Sequence, residues 1–372
     1  MTAIILLLAV FWIAYSNGAN DNFKGVATLY GSSAASFKKA LAWATVSTGA
    51  GSLVSVAAAG KFVAAFTGRG LIPDGLAGTP PVLIAVGIGS ALTICLATRM
   101  GLPTSTTHAL TGSLVGIAAA GSIHRIGWET LLSGFAGPML LSPALAALLA
   151  AAAYPMLRRV GAACGVTRQT CLCIGEEAPI PVRVREDGSV ALAASSLRVR
   201  LDQLENCEER YVGKFIGVDA QSLVTGTHYV SAGAVCFSRA VNDTPKIAAL
   251  LLATQGGASY GALGWVAAAM LMGGWLHSRR VAETLSHRIA DLSPGQGLIA
   301  NLATAFLVLA ASNFGLPVST THVSVGAIFG IGAANRTCRW KTVAEIAAAW
   351  LITLPLAGLL SGLLFLLATR LP

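Results

Sequence analysis

Gly101-Leu102-Pro103-Thr104-Ser105-Thr106-Thr107-His108 recurs in the same chain as Gly315-Leu316-Pro317-Val318-Ser319-Thr320-Thr321-His322, with seven of the eight positions identical. Another pair of stretches stands ahead of each copy. Asn20-Asp21-Asn22-Phe23-Lys24 and Asn242-Asp243-Thr244-Pro245-Lys246 share the pattern N-D-x-x-K. The two pairs are separated by nearly equal offsets, so the chain reads as a duplication. The halves are 1–157 and 213–372, and the segment 158–212 joins them.

What surrounds the repeated stretches is apolar. Of 372 residues 55% are hydrophobic and 11% charged, against about 25% charged in an average soluble domain, and the mean hydropathy is +0.70. The joining segment alone holds eight Arg and eight acidic residues, which leaves the two halves almost uncharged. Such a chain cannot cover a water-facing surface. A soluble enzyme, a nucleic-acid binder and a disordered protein are excluded. Apolar windows near 1–16, 41–66, 82–98, 130–157, 259–277, 297–312 and 343–369 meet or approach the ~20 residues a spanning helix needs. Shorter apolar pieces near 22–36, 109–121, 222–237, 246–254 and 322–334 are flanked by Gly, Pro, Ser, Thr or Asn. The runs are continuous rather than alternating, so the class is an all-α polytopic membrane protein and not a barrel. Its 41 glycines suit close helix packing in lipid.

Loop charges bear on how the halves face. Lys38-Lys39 follow the first N-D motif, whereas Thr254–Tyr260, at the equivalent place after the second, carries no charge. The next loop of half one, Thr67–Pro81, has Arg69 as its only basic residue; its counterpart His277–Gly295 has Arg279, Arg280 and Arg288. Basic bias switches sides between copies, and the positive-inside rule then predicts inverted repeats with about 10 to 12 spanning, re-entrant or broken segments. The net charge of +9 needs only that rule. Met1–Val10 reads as a retained first helix rather than a signal peptide, and the address as a bacterial inner membrane, crossed many times. Seven cysteines at spacings matching no common zinc pattern read as free thiols, with no metal and no cofactor.

The repeated polar residues would carry the chemistry. Asp21 and Asp243 stand in segments that otherwise enter lipid, where a carboxylate costs about 2.5–3.5 kcal/mol on insertion scales. Each must therefore be paired, protonated or ion-bound. Pro103 and Pro317 disfavour helix in the residue before them and mark breaks. Ser105, Thr106, Thr107 and Ser319, Thr320, Thr321 then fall in the first turn of a new helix, where free N–H groups and the positive dipole end favour an anion. An ordinary N-cap is the plainer reading of one copy. Two copies favour a tetrahedral oxyanion held by hydroxyls and amides together. Lys24 and Lys246 lie three residues past each Asp, on the same helical face, so Asp21–Lys24 and Asp243–Lys246 can pair. Snorkelling to the interface is the alternative for both lysines.

Taken together, Gly18-Ala19-Asn20-Asp21, Val241-Asn242-Asp243 and the two P-x-S-T-T-H elements resemble the PiT inorganic phosphate transporters over both halves. The resemblance implies phosphate uptake driven by sodium or protons, not an enzyme, with no cofactor beyond the coupling ion. It also implies a phosphate site built from Asp21, Ser105, Thr106, Thr107, Asp243, Ser319, Thr320 and Thr321, with Asn20 and Asn242 as cation-site candidates. The chain departs from the family's G-A-N-D-x-x-N pattern at Lys24, and Lys246 fills the equivalent place. A fixed ammonium in place of a bound sodium predicts proton coupling. His108 and His322, just past the hydroxyl elements, are candidate proton relays. Arg239, ahead of the second motif, reads equally as an anion contact or an interface residue. Partners are inorganic phosphate and the lipid bilayer, and a homodimer is compatible with this reading. Sulfate is the alternative substrate, disfavoured because it cannot donate a hydrogen bond to a carboxylate. An intramembrane hydrolase using Ser105 or Ser319 is remote, since every nucleophile–base candidate is duplicated. The segment 158–212, with apolar–charged alternation at Pro181–Arg185 and Leu197–Leu201, predicts a small β-rich cytoplasmic insert.

Overall fold

The structure, a computed structural model, describes residues 1–57, 62, 65–121, 124, 126–167, 169–176, 181–184, 190–192, 197–203, 216–255 and 260–370. Twelve α-helices are seen among these: α1 Thr2–Asp21, α2 Ala27–Gly31, α3 Phe37–Val54, α4 Pro80–Arg99, α5 Thr106–Gly121, α6 Gly137–Ala163, α7 Ala220–Gln255, α8 Tyr260–His277, α9 Arg279–Glu283, α10 Pro294–Asn313, α11 Thr320–Ala334 and α12 Trp340–Arg370. Five helical stretches are long and apolar enough to cross a bilayer: Thr2–Asp21, Pro80–Arg99, Thr130–Ala163, Pro294–Asn313 and Trp340–Thr369. The protein is an all-α polytopic membrane protein. Its outer face is correspondingly apolar, with Leu140, Leu148, Leu351, Leu359 and Leu367 exposed along α6 and α12, as lipid contact requires.

Met1–Tyr154 and His228–Pro372 form one compact unit, and Pro155–Thr227 a second, wider than the charged segment alone. In the first unit both hydrophobic clusters mix the halves. Val10, Leu83 and Leu110 pack with Ile247 and Met270, while Phe23 and Leu41 share a cluster with Ile299 and Val323. The duplicated halves therefore interlock instead of folding as separate lobes. Glycine sets how closely their helices approach. A Cβ on Gly112 or Gly116 of α5 would overlap the backbone of Leu354 or Gly358 in α12, and one on Gly326 or Gly330 of α11 would overlap Pro143 or Ala147 in α6. Between helices surrounded by lipid, where no hydrophobic effect drives association, such close packing is the main attraction.

The repeated breaks are built by glycine as much as by proline. Gly101 and Gly315 adopt φ +72° and +71°, a left-handed conformation that glycine takes without steric cost. Leu102 N–H bonds Ala97 O at 2.9 Å and Gly101 N–H bonds Thr98 O at 3.0 Å; Leu316 and Gly315 repeat this on Ala311 (2.9 Å) and Ser312 (3.1 Å). This paired closure is the Schellman end of a helix. Pro103 and Pro317 follow it, and α5 and α11 begin three residues later.

The two N-D motifs differ in structure. After Asp21 the chain leaves helix for a turn, with Lys24 N–H on Asp21 O (3.1 Å) and Val26 N–H on Phe23 O (3.2 Å). The second motif stays inside the 36-residue α7, which runs through Pro245. The two motifs, alike in sequence, thus differ in backbone: the first ends its helix and the second does not. The first copy has Gly18 and Gly25 where the second has Ala240 and Ile247, yet Pro245 costs about 3 kcal/mol in a helix interior against about 1 for each glycine. The burial of Ile247 to Leu252 in the core, not propensity, accounts for the unbroken helix.

The second unit carries the strands expected of the polar segment. β1 Thr170–Glu176 lies between β4 Leu197–Gln203 and β5 Ile216–Asp219 in an antiparallel sheet, and β2 Pro181–Val184 pairs with β3 Val190–Leu192. The register sets Cys173 opposite Arg200 and Gly217. Arg185 lies outside the described residues. The cysteines correct the expectation of free thiols at one position: Cys95, Cys164, Cys171, Cys236 and Cys338 are free, whereas Cys173 is disulfide-bonded. Cys207 lies outside the described residues.

Candidate functional site

Both lysines are buried, not snorkelling: Lys24 is 1% exposed and Lys246 0%. Each sits beside its aspartate and reaches across to the other half. Lys24 Nζ pairs with Asp21 Oδ1 and donates to Thr321 Oγ1, and lies 3.1 Å from Thr104 O. Lys246 Nζ is 3.5 Å from Asp243 Oδ1, 3.0 Å from Thr107 Oγ1 and 2.9 Å from Val318 O. These are equivalent contacts at equivalent positions of the repeat. Each ammonium is thus held by one carboxylate, one hydroxyl and one break carbonyl, the last two exposed by the ends of helices. Burying such a charge is tolerable only because three acceptors replace its water.

Around the ion pairs the hydroxyl elements close in. Thr107 Oγ1 donates to Val318 O at 3.2 Å, Thr321 Oγ1 donates to Thr104 O, and Thr320 Oγ1 is 3.4 Å from Asp243 Oδ2. Thr106 Oγ1 accepts from Asn17 Nδ2 at 2.8 Å. Ser105 and Ser319 act as N-caps, their Oγ accepting from His108 N–H (3.1 Å) and His322 N–H (3.2 Å). Asn20 and Asn242 are spent on protein groups. Asn20 takes the Thr104 N–H (2.9 Å) and donates to Leu102 O (3.0 Å) and Thr98 Oγ1 (2.9 Å). Asn242 takes Ser312 Oγ–H (3.1 Å) and lies 3.3 Å from Val318 O. Both pin the non-helical breaks in place. His108 and His322 meet in a tilted arrangement, 4.5 Å between ring centroids at 55°, and line a cavity of about 410 Å³ with Met139, Pro143 and Trp350. His108 Nδ1 and His322 Nε2 have no hydrogen-bond partner.

A family model for phosphate transporters matches residues 17–361, which takes in both N-D motifs and both hydroxyl elements. This chain belongs to the phosphate transporter family. The family is one of transporters, not of hydrolases. Relatives span the chain: it is 28% identical over 417 residues to the chloroplastic inorganic phosphate transporter 2-1 of Arabidopsis thaliana, covering 95% of this chain and 70% of that one. It is 29% identical over 379 residues to a Rhizobium meliloti protein named probable low-affinity inorganic phosphate transporter, covering 98% and 95%. A solved structure titled the sodium-dependent phosphate transporter shares the fold at TM-score 0.74 and 20% identity, with 100% of both chains covered.

Two residues of this phosphate transporter family member were not foreseen in their actual roles. Asn17 is the hub between halves, its Nδ2 within 3.1 Å of Asp21 Oδ2 and 3.5 Å of Asp243 Oδ2 as well as bonding Thr106. Arg239 is neither at an interface nor free: it is 1% exposed and, among the described residues, the largest fully buried side chain. Its Nη1 donates to Asn17 Oδ1 at 3.1 Å and lies 4.0 Å from Asp243 Oδ2. Asn17 and Arg239 occupy equivalent repeat positions, 222 residues apart. That equivalence was readable from the aligned motifs, but their mutual contact was not.

Proposed function

We propose that this chain carries inorganic phosphate across a membrane by alternating access, in symport with a cation, a proton in preference to sodium. The observation that carries the reading is the crossed arrangement of Lys24 and Lys246. Each ammonium bridges an aspartate of its own half to the hydroxyl helix start of the other, so cationic donors and two helix N-termini converge where an oxyanion would be held. Asp21, Ser105, Thr106, Thr107, Asp243, Ser319, Thr320 and Thr321 form the phosphate site in this reading. Asp21 or Asp243 accepts the proton that hydrogen phosphate offers and sulfate lacks. Asn20 and Asn242 set the geometry of the breaks, and His108 and His322 relay the proton. Membership of the phosphate transporter family supports the substrate. The lysines already place a cation beside each carboxylate, which supports protons over sodium.

The architecture proposed is two inverted repeats, 1–157 and 213–372, rocking against each other about the site, with 158–212 as a cytoplasmic insert in a bacterial inner-membrane protein. Radiolabelled phosphate uptake into proteoliposomes tests the whole reading, with pH and sodium gradients imposed separately and unlabelled sulfate as competitor. Uptake driven by the pH gradient alone and indifferent to sulfate is expected. Sulfate uptake without phosphate uptake would overturn the substrate, and uptake that needs sodium would overturn the coupling.

A further inference from the structure

The guanidinium of Arg239 lies in a set of oxygens. Nη1 faces Asn17 Oδ1 at 3.1 Å, Nη2 faces Thr48 Oγ1 at 3.0 Å and Asn22 Oδ1 at 3.5 Å, and Asp243 Oδ2 is 4.0 Å from Nη1. Asn17, Asn22 and Thr48 are buried and neutral, and Thr48 Oγ–H itself bonds Asn22 Oδ1 at 2.8 Å. Amide and hydroxyl oxygens beside one carboxylate are the donor set that hard cations take, not the bidentate carboxylate that a buried arginine usually pairs with. The Nε–H has no hydrogen-bond partner. A charged residue so poorly matched to a counter-ion is costly to keep as filling, where an apolar side chain would serve.

The repeat supplies a comparison within the same molecule. At the positions equivalent to Asn22 and Thr48 stand Thr244 and Met270, whose Oγ1 and Sδ meet at 3.7 Å, and the residue equivalent to Arg239 is the neutral Asn17. The all-oxygen pocket is present on one side, and it is the side that contains the arginine. Charge gives the same result. At ordinary protonation Lys24, Lys246 and Arg239 against Asp21 and Asp243 leave one positive charge, which a phosphate monoanion neutralises. Without Arg239 the same loaded site is short of one cation.

We infer that the Arg239 guanidinium stands where a coupling sodium ion would be held, so that the chain carries this charge covalently and moves phosphate without sodium. The inference rests on the phosphate reading of the site. It differs from the role given to the lysines, which sit against the carboxylates and hydroxyl helices and not in this pocket.

Arg239→Gln removes the charge and frees the oxygens; Arg239→Lys keeps a charge. Two readouts separate the outcomes: the shift in melting temperature of the purified protein when sodium replaces choline, and phosphate uptake in proteoliposomes under the same exchange. We expect Arg239→Gln to be stabilised by sodium and its uptake to rise roughly tenfold or more, the change that about 1.4 kcal/mol of ion binding gives. Arg239→Lys and the unaltered protein should respond to neither. If Arg239→Gln does not hold its fold in choline, recovery of fold in sodium supports the inference, and Arg239→Ser, which leaves more room for the ion, provides a second reading. Glutamine and serine variants both indifferent to sodium would overturn it, as would a lysine variant as sodium-responsive as the glutamine one. Unaltered protein that takes up no phosphate would overturn the function proposed above, while the melting shift would still judge Arg239.

Discussion

Lys246 Nζ lies 3.0 Å from Thr107 Oγ1, although 139 residues separate them. The cation of the second half thus rests on the helix start of the first. Its counterpart Lys24 rests on Thr321 in the second. The site is completed only when both halves are docked, so stability and binding are expected to be linked at these residues.

Lys246→Met leaves Asp243 buried without its ammonium. Removing one partner of a buried pair costs about 3–5 kcal/mol, so the melting temperature in detergent should fall sharply. Lys246→Met combined with Asp243→Asn should recover part of that loss while leaving phosphate binding impaired. A single variant as stable as the parent would show that Asp243 does not need the Lys246 ammonium.

Thr107→Val and Thr321→Val keep shape and remove one hydroxyl each. Losing a hydrogen bond to a charged group costs about 1.5–3 kcal/mol. Apparent phosphate affinity should therefore weaken by roughly tenfold or more, with the fold retained. Unchanged uptake kinetics in both variants would remove the threonines from the phosphate site.

Changing Lys24 and Lys246 together to Asn restores the polar neutral residue that the first family motif carries at this place. Phosphate uptake by this variant should gain a dependence on sodium. Uptake as indifferent to sodium as before would end the account in which fixed ammoniums replace the ion.

His322 Nδ1 is held by Met139 O at 3.1 Å and its ring packs on Trp350 at 3.8 Å, so His322→Gln keeps one hydrogen bond and alters only the proton chemistry. With His108→Gln, it should flatten the pH profile of uptake while leaving phosphate exchange at fixed pH. An unaltered profile in the double variant would make these rings structural.

Gly116→Leu should fail more severely than Gly116→Ala, because a side chain there meets the backbone of Gly358. Overpacking costs about 1–3 kcal/mol and here also separates α5 from α12. Melting curves of both variants against the parent measure this directly, and a Gly116→Ala variant as stable as the parent would contradict the close approach.

Outside the membrane, Asp219 caps α7: Ser222 N–H bonds Oδ1 at 2.8 Å and Ser222 Oγ–H bonds Oδ2 at 2.7 Å. These donors hold its carboxyl below the ordinary range. A lowered folded pKa means that the cap's contribution is complete above the unfolded value, about 3.9, and is lost as pH falls through the folded one. Relative to the intrinsic exchange rate, amide protection at the start of α7 should fall on acidification, and Asp219→Asn should abolish that dependence.

Much of this was legible without coordinates. Long uncharged runs specify membrane helices because lipid admits only helices and closed barrels, and the runs do not alternate as barrel strands do. The recurrence of Asp21–Lys24 as Asp243–Lys246 announced local pairs, since both members lie within one turn. Gly-Leu-Pro marks the breaks through proline, and the structure adds that Gly101 and Gly315 terminate the preceding helices. The N-D motifs read alike, and local propensity does not separate them, since Pro245 stands in the copy that stays helical.

Sequence alone thus determined the class, the duplication, the family pattern and the residues with unusual chemistry, because each is written in local composition or in self-comparison. Only the tertiary structure decided which half each charge serves. Lys24 and Lys246 cross over, Asn17 joins both aspartates, and Arg239 turns inward to an oxygen pocket drawn from α1, α3 and the turn after Asp21. Those choices depend on how closely glycine-lined helices dock. A side chain's partners across 139 or 222 residues follow from that docking and not from any spacing along the chain.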